Sequence, residues 1–364
     1  MRFTGLHLHQ FRQFAAASWA LHPRLNVVQG GNAAGKTTLL EALFFAARAE
    51  SFRARRVLEL IRDGQTSCAV SVETLESDAS LPVGWKAQAE KGEVLLKRGH
   101  ETVNRTTLTQ SLPLMLIDHQ QHRLFEDGPV YRRQYLDWGL FYVEPQFMIA
   151  WRRFERALRQ RNTLLRQRAD MSEIQTWNPE LVLWGERLHA MRAEHVKALR
   201  ESLRPWLLCL LPDVEIHLTL NAGWDTRQGL AAALETQFES DRQAGFTHAG
   251  PQRAEIRVQW QSHLVRTHSS RGQQKLLALA MSLAQASLVH RSLGHAPVLL
   301  LDDSEAELSS TWQRRLFAAL RDYPGQTVVS SLEWSVGVLP PQITPDDYAM
   351  FHVEHGQVTP ITAC

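Results

Sequence analysis

Residues 30–37 read Gly-Gly-Asn-Ala-Ala-Gly-Lys-Thr. This is the spacing Gly-x-x-x-x-Gly-Lys-Thr, in which every fixed position has a phosphate-binding task. Gly30 and Gly35 let the backbone take positive φ and come close to an anion. The residues expected to hold phosphates are Gly30, Gly31, Asn32, Ala33, Ala34, Gly35, Lys36, Thr37 and Thr38. From Asn32 onward their amides would point into one concavity at the positive end of the following helix. Lys36 would reach the β- and γ-phosphates of a nucleotide, and the Thr37 hydroxyl would ligate Mg²⁺, an oxygen-seeking ion.

A second stretch supplies the acids such a site needs. "APVLLLDDSEAEL", residues 296–308, is an apolar strand ending in two carboxylates. Asp302 would hold Mg²⁺ or its water, and Asp303 would orient or deprotonate the attacking water. Asp303 and Lys36 are therefore the expected catalytic groups. A third stretch, "THSSRGQQKLLALAM" at 267–281, is a polar, glycine-containing entrance to a long helix. There the Ser270 hydroxyl and the amides around Arg271, Gly272 and Gln273 would form another anion site. A chain with its own phosphate loop does not need a second one, so this site is expected to serve the nucleotide of a second copy.

Each of these groups needs an element to hold it. "RLNVVQG" before the loop has the pattern of a short buried strand, and "TTLLEALFFAAR" after it that of a helix. Short strands and turns surround this helix through residue 118, in "RFTGLHLHQF", "SCAVSVETLE", "VGWKAQAE" and "LPLMLID", and make a β-rich half-domain. From Tyr131 to about Leu211 the period becomes helical, in two long segments. The second carries Leu181, Trp184, Leu188, Met191, Leu199 and Leu203 at steps of three or four. Turn formers and a proline in "ADMSEIQTWNP" between the segments predict a helical hairpin. After Pro212 strands return in "VEIHLTL" and "EIRVQW". They are followed by the helix "GQQKLLALAMSLAQASLVHRS", the strand "PVLLLDD", the helix "TWQRRLFAALRDY" and the strand "QTVVSS". The expected organisation is an α/β domain in two halves, residues 1–118 and 213–364, interrupted by a helical lobe at 119–212. The two halves must meet in space.

Composition bounds the function classes. With 364 residues, 44% hydrophobic and 21% charged, the chain is expected to be a soluble globular protein. The longest apolar runs read in the sequence are patches such as "WLLCLL", well short of the ~18 residues of a membrane span. The start "MRFTGLHLHQF" lacks the apolar centre of a signal peptide, and a cytosolic address is expected. Cys68, Cys209 and Cys364 are expected to be free thiols. The 16 histidines lack zinc-ligand spacing and are read as surface or core residues.

A net charge of +2 gives no overall pull toward nucleic acid, so any such binding must come from a local patch. The richest is "WRRFERALRQRNTLLRQR" at 151–168, where Arg152, Arg153, Arg156, Arg159, Arg161, Arg166 and Arg168 face only Glu155. Trp151, Phe154, Leu158 and Leu165 give that helix an apolar seam and leave it a cationic back. "SFRARR" at 51–56 is a second cluster. The DNA-binding candidates are Arg53, Arg55, Arg56, Arg152, Arg153, Arg156 and Arg159, and a merely solvated face is the alternative for both clusters.

The phosphate loop, the "SRGQ" element and the "LLLDD" strand, in this order, resemble the ABC-type ATPases, whose signature motif caps the γ-phosphate of the partner's ATP in a head-to-tail dimer. More closely, seven pieces resemble the RecF family of bacterial recombination-repair ATPases: "LHLHQFRQF", "GGNAAGKTTLLEAL", "SFR", "DGPVYRRQYLDWG" at 127–139, "AGPQR" at 249–253, "SRGQQKLL" and "LLLDDSEAEL". The resemblance implies an α/β, ABC-type P-loop ATPase head of the Rad50/SMC kind with an inserted α-helical arm. It implies ATP and Mg²⁺ as cofactors, an ATP-dependent homodimer, and binding to duplex, gapped or single-/double-strand junction DNA. Slow, DNA-stimulated hydrolysis and cooperation with RecO and RecR in loading recombinase follow from the same resemblance.

Some positions depart from the family pattern. Ser269 stands where the signature has a leading Leu, Ser309 replaces the D-loop aspartate, Gln252 stands in "AGPQR" where the family has His, and His119-Gln120 takes the place of a Pro-acidic pair. The position of the transporters' switch histidine falls on Ser330 or Ser331. Two other readings compete. The ATPase subunit of a membrane transporter would need a conventional signature and a surface for a membrane partner, and a kinase would leave "SRGQQK" without a task.

Overall fold

The computed structural model describes residues 1–76, 81–118, 120–121, 123–303, 309–331 and 344–361. It forms two compact units, Met1–Gln121 with Lys275–Cys364, and His122–Gln274.

The first unit carries two six-stranded sheets. One takes its strands in the order Gln357–Ile361, Tyr348–Glu354, Leu25–Gln29, Thr327–Ser331, Val298–Leu301 and Leu114–Ile117. The last five are parallel, and only the edge strand Gln357–Ile361 runs antiparallel. Parallel strands covered on both faces read as continuous apolar runs, and every residue of Val298–Leu301 is buried. Strands from both ends of the chain thus share one sheet. Their carboxyl ends line up: Ser331 pairs with Gln29, Leu301 with Val329 and with Ile117. In an open α/β sheet this edge is where ligands bind.

The other sheet is antiparallel, ordered Phe14–Ala20, Arg2–Phe11, Ser67–Leu75, Val83–Glu90, Glu93–Arg98 and Glu101–Thr102. Between the sheets' side chains lies the helix Lys36–Arg48. Its Leu39, Leu40, Leu43 and Phe45 share a core with Phe3, Phe11, Phe14 and Val70 of one sheet and Val28 and Val298 of the other.

The helix Arg271–Leu293 corrects one expectation. By length and composition it could cross a membrane, and residues 276–289 contain no charge. "WLLCLL" is therefore not the longest apolar stretch. A helix apolar all round is one packed on all sides, and Leu276, Leu277, Ala280, Leu283, Ala284 and Val289 are buried in protein.

In the second unit the helices Phe147–Gln167 and Asn178–Leu210 pack on each other through Phe154, Ala157, Leu181 and Leu188, with Leu230 and Leu234 completing the core. The connection between them holds a short helix, Met171–Gln175. This unit also contains a three-stranded antiparallel sheet, His263–Leu264, Glu255–Trp260 and Ile216–Asn221. The expected return to the first unit at residue 213 is therefore corrected: it comes at Lys275. Alternating hydrophobicity identifies these strands but says nothing of which sheet they join.

Arg161 is a second correction. It is fully buried, not on the cationic back of its helix. Its guanidinium donates to Asp241 Oδ2 at 2.7 Å, Thr247 Oγ1 at 2.6 Å and Asn178 Oδ1 at 3.1 Å. Position 161 lies seven residues after Phe154 and four after Ala157, which puts it on the apolar seam. Arg152, Arg153, Arg156, Arg159, Arg166 and Arg168 are exposed as expected.

Candidate functional site

The strand Leu25–Gln29 delivers the phosphate loop to the sheet edge, and the loop's glycines are required by its surroundings. A Cβ at Gly30 would lie 2.4 Å from the Val353 carbonyl oxygen. One at Gly35, where φ is 117°, would lie 2.7 Å from Gln13 Nε2 and 2.9 Å from the Phe14 ring. Gln13 straps the loop, donating to the Ala33 carbonyl at 3.2 Å and accepting from Thr38 Oγ1 at 3.3 Å. Lys36 is buried, and its ammonium donates to the carbonyls of Gly30 (2.7 Å) and Gly31 (3.0 Å), which places it inside the loop.

Asp302 follows the buried strand Val298–Leu301 and meets the loop directly. Thr37 Oγ1 donates to Asp302 Oδ1 at 3.0 Å, and Ser330 Oγ donates to the same oxygen at 2.7 Å. The Ser330 oxygen in turn accepts the Asp303 amide at 3.0 Å, and Asp303 sits in the left-handed region with φ 46°. One hydroxyl therefore sets the positions of both acids. Burial holds the Asp302 carboxyl above its ordinary range. The Ser330 bond opposes this, the Asp303 charge adds to it, the Thr37 bond opposes it, and the Asp118 charge adds to it. A hydroxyl and a carboxylate are hard oxygen donors suited to Mg²⁺. Among the described residues no group of three His, Cys, Asp or Glu could hold a metal, so the remaining coordination positions would fall to phosphate oxygens and water. The residues present fit a nucleotide with its magnesium.

A cavity of about 800 Å³ opens over the loop, lined by residues 32–38 together with Arg12, Gln13, Arg53, Glu59, Ile61, Arg62, Asp63 and Asp303. Two of its cations are tied to one fully buried carboxylate on the loop helix. Arg12 donates to Glu41 through Nε (3.1 Å) and Nη2 (2.7 Å), and Arg53 lies 3.7 Å from Glu41. Ser51 Oγ also donates to Glu41, at 2.5 Å. Arg53, a DNA-binding candidate, lines this cavity while remaining exposed, and Arg55 and Arg56 are exposed too. Arg12, Gln13, Glu41, Arg62 and Asp63 were not foreseen as site residues. Arg12, Gln13, Arg62 and Asp63 reach the loop from other elements, whereas Glu41 lies on the loop helix itself, where only a charge among the apolar residues of "TTLLEALFFAAR" could have signalled it.

The signature stretch lies in the second unit. Ser270 is exposed and caps the helix Arg271–Leu293: its Oγ accepts the Gln273 amide at 3.3 Å, and its own amide donates to Gln273 Oε1 at 2.9 Å. This reciprocal capping box satisfies two of the helix's free amides. Arg271 is exposed, and Gly272 is half-buried. His119, residues 304–308 and Cys364 lie outside the described residues. Cys68 is free and buried, and burial pushes its thiol up to about 11.

The chain is similar to known proteins over its whole length. A family model described as RecF/RecN/SMC N terminal domain matches residues 3–336. The DNA replication and repair protein RecF of Shewanella piezotolerans is 33% identical over 362 residues, covering 99% of this chain and 100% of the relative. That of Stenotrophomonas maltophilia (strain R551-3) is 37% identical over 370 residues, covering 99% and 100%. Among solved structures, the recombination mediator protein RecF-ATPrS in the RecFOR pathway superposes with a TM-score of 0.85 at 19% identity, covering 99% of this chain and 98% of that one. An Smc head bound to the C-winged helix domain of ScpA superposes with a TM-score of 0.62 at 13% identity, covering 100% and 98%. These two likenesses show a shared ATPase-head fold.

Proposed function

The chain belongs to the RecF family of DNA replication and repair proteins, and we propose that it is an ATP-dependent DNA-binding protein of recombinational repair. In this reading ATP and Mg²⁺ bind in the loop and join two copies head to tail, each offering residues 270–273 to the other's nucleotide. The dimer binds duplex, gapped or junction DNA and acts with RecO and RecR to load recombinase. Hydrolysis is slow and serves release from DNA. Such a role belongs in the cytosol.

The observation that carries the reading is the contact of Thr37 with Asp302, which joins the phosphate loop to the acid strand through the two groups that would hold magnesium. Magnesium there would neutralise charge between the β- and γ-phosphates. This chain's own residues do the rest. The loop amides and Lys36 bind the phosphates, and Ser330 fixes the spacing of Asp302 and Asp303. Asp303, on the cavity wall, orients a water molecule and accepts its proton. Lys36 now bonds two loop carbonyls that a phosphate would replace as its partners. In the same way the Ser270 hydroxyl would turn from the Gln273 amide toward a partner's phosphate.

DNA binding measured by fluorescence anisotropy, with and without ATP, tests the reading. Wild-type affinity should rise with ATP. Ser270→Arg, which places a bulky cation in the cap, should bind ATP through Lys36 yet lose that rise. Equal ATP dependence in the two proteins would refute the cross-protomer assignment.

A further inference from the structure

The nucleotide site gives no task to two stretches that stand out in the sequence, 127–139 and 249–253. They meet in the second unit, around four guanidinium groups and two carboxylates. Arg132 donates to Glu255 Oε1 from Nε (3.1 Å) and Nη2 (2.5 Å), and to the Leu124 and Asp127 carbonyls at 2.9 and 2.8 Å. Arg192 takes both oxygens of Asp137, at 2.9 and 2.8 Å, and the Pro251 carbonyl at 2.7 Å. Both carboxylates are therefore occupied by other arginines.

Among the described residues Arg133 makes one hydrogen bond, to the Ala254 carbonyl at 2.9 Å, and it feels the charge of the adjoining residue Arg253. Arg253 is exposed and lies over the Phe246 ring, 5.1 Å from its centroid. Burial, followed by the charge of Arg192, lowers the pKa of Arg133; Asp137 opposes this, Arg253 adds to it and Glu255 opposes it, both carboxylates being already paired with other arginines. A partly desolvated cation without its own counter-ion is unfavourable. Its free donors form a flat fork that matches a phosphate oxygen pair.

We propose that Arg133 and Arg253 form a phosphate-binding notch for the DNA backbone, separate from the 152–159 face. A polyanion is favoured over a single acidic side chain because the same unit exposes Arg152, Arg153, Arg156 and Arg159, further cations for successive phosphates. The proposal rests on the DNA-binding reading above.

The test uses the full chain with ATP, Mg²⁺ and a fluorescein-labelled duplex over a range of NaCl concentrations. Arg133→Gln and Arg253→Gln should each flatten the slope of log affinity against log salt by about 0.9, and the double variant by about twice that. Each should bind roughly three- to tenfold more weakly at moderate salt. Arg133→Lys, which keeps the charge, should restore the slope, and ATP affinity should not change in any variant. If Arg133→Gln does not fold, the exposed Arg253→Gln decides alone. Wild-type slope and affinity in the Gln variants would overturn the notch and leave the DNA reading standing, pointing to an acidic protein as its ligand. A wild-type chain that ignores duplex would overturn the DNA reading itself.

Discussion

Asp302→Asn separates the stability of the site from its chemistry. Thr37 and Ser330 bond the same carboxylate oxygen, Oδ1, at 3.0 and 2.7 Å, so the carbonyl of an asparagine can accept both bonds and only the charge is lost. Burial, the largest influence, raises the Asp302 pKa. A carboxyl whose folded pKa lies above its unfolded value stabilises the fold below the unfolded pKa, and that contribution is lost as pH rises through the folded pKa. At neutral pH the wild-type protein therefore carries an unfavourable charge that the variant lacks. Single stabilising substitutions commonly contribute about 0.5–2 kcal/mol, and relief of this buried charge is expected to fall in that range. For a unit of roughly 200 residues, each kcal/mol raises the melting midpoint by about 2–4 °C.

Melting of both proteins in EDTA, without nucleotide, from about pH 4 to pH 8 reads this difference. The variant should be the more stable near neutrality, and its advantage should shrink toward acid as Asp302 of the wild type takes up its proton. In the same variant Mg²⁺-dependent ATP hydrolysis should disappear. A variant less stable than wild type at neutral pH, or an advantage that stays constant across the range, would refute the reasoning.

Lys36→Met should abolish ATP binding, because its ammonium is held inside the loop; nucleotide titration reads this, and wild-type affinity would remove Lys36 from the site. Gly35→Ala places a Cβ 2.7 Å from Gln13 Nε2 at φ 117° and should lower ATP affinity by at least about tenfold, some 1.4 kcal/mol; an unchanged titration would contradict the loop geometry. Asp241→Ala strips the buried Arg161 of its carboxylate and should cost about 3–5 kcal/mol in denaturant unfolding. A loss under about 1 kcal/mol would show the pair to be solvated.

The phosphate loop, the acid pair and the capped signature helix could be read in the sequence because each is local: its chemistry and its supporting element lie within about fifteen consecutive residues. The strands that flank them carried clear alternation or continuous apolar runs, and the positions of Leu25–Gln29 and Val298–Leu301 followed. What could not be read was partnership across the chain. Ser330 touches both acids from a strand whose pattern shows only burial; the resemblance marks Ser330 or Ser331 as the switch position but does not name the acids as its partners. Glu41 takes its role from Arg12, Ser51 and Arg53, which close around it from outside its own helix. The strands Ile216–Asn221 and Glu255–Trp260 were visible as strands, but nothing in their alternation named the sheet they enter. Arg161 departs from the cationic face because its position on the seam buries it, and Asp241 supplies the charge that burial requires.

Sedimentation velocity of the wild-type chain, alone, with ATP and Mg²⁺, and with both plus duplex DNA, tests the central claim most directly. The chain should sediment as a monomer without nucleotide and as a dimer with ATP, and that dimer should comigrate with DNA. A chain that stays monomeric with ATP while binding it, or one that dimerises and binds DNA equally well without it, would contradict the claim that the nucleotide assembles the DNA-binding form.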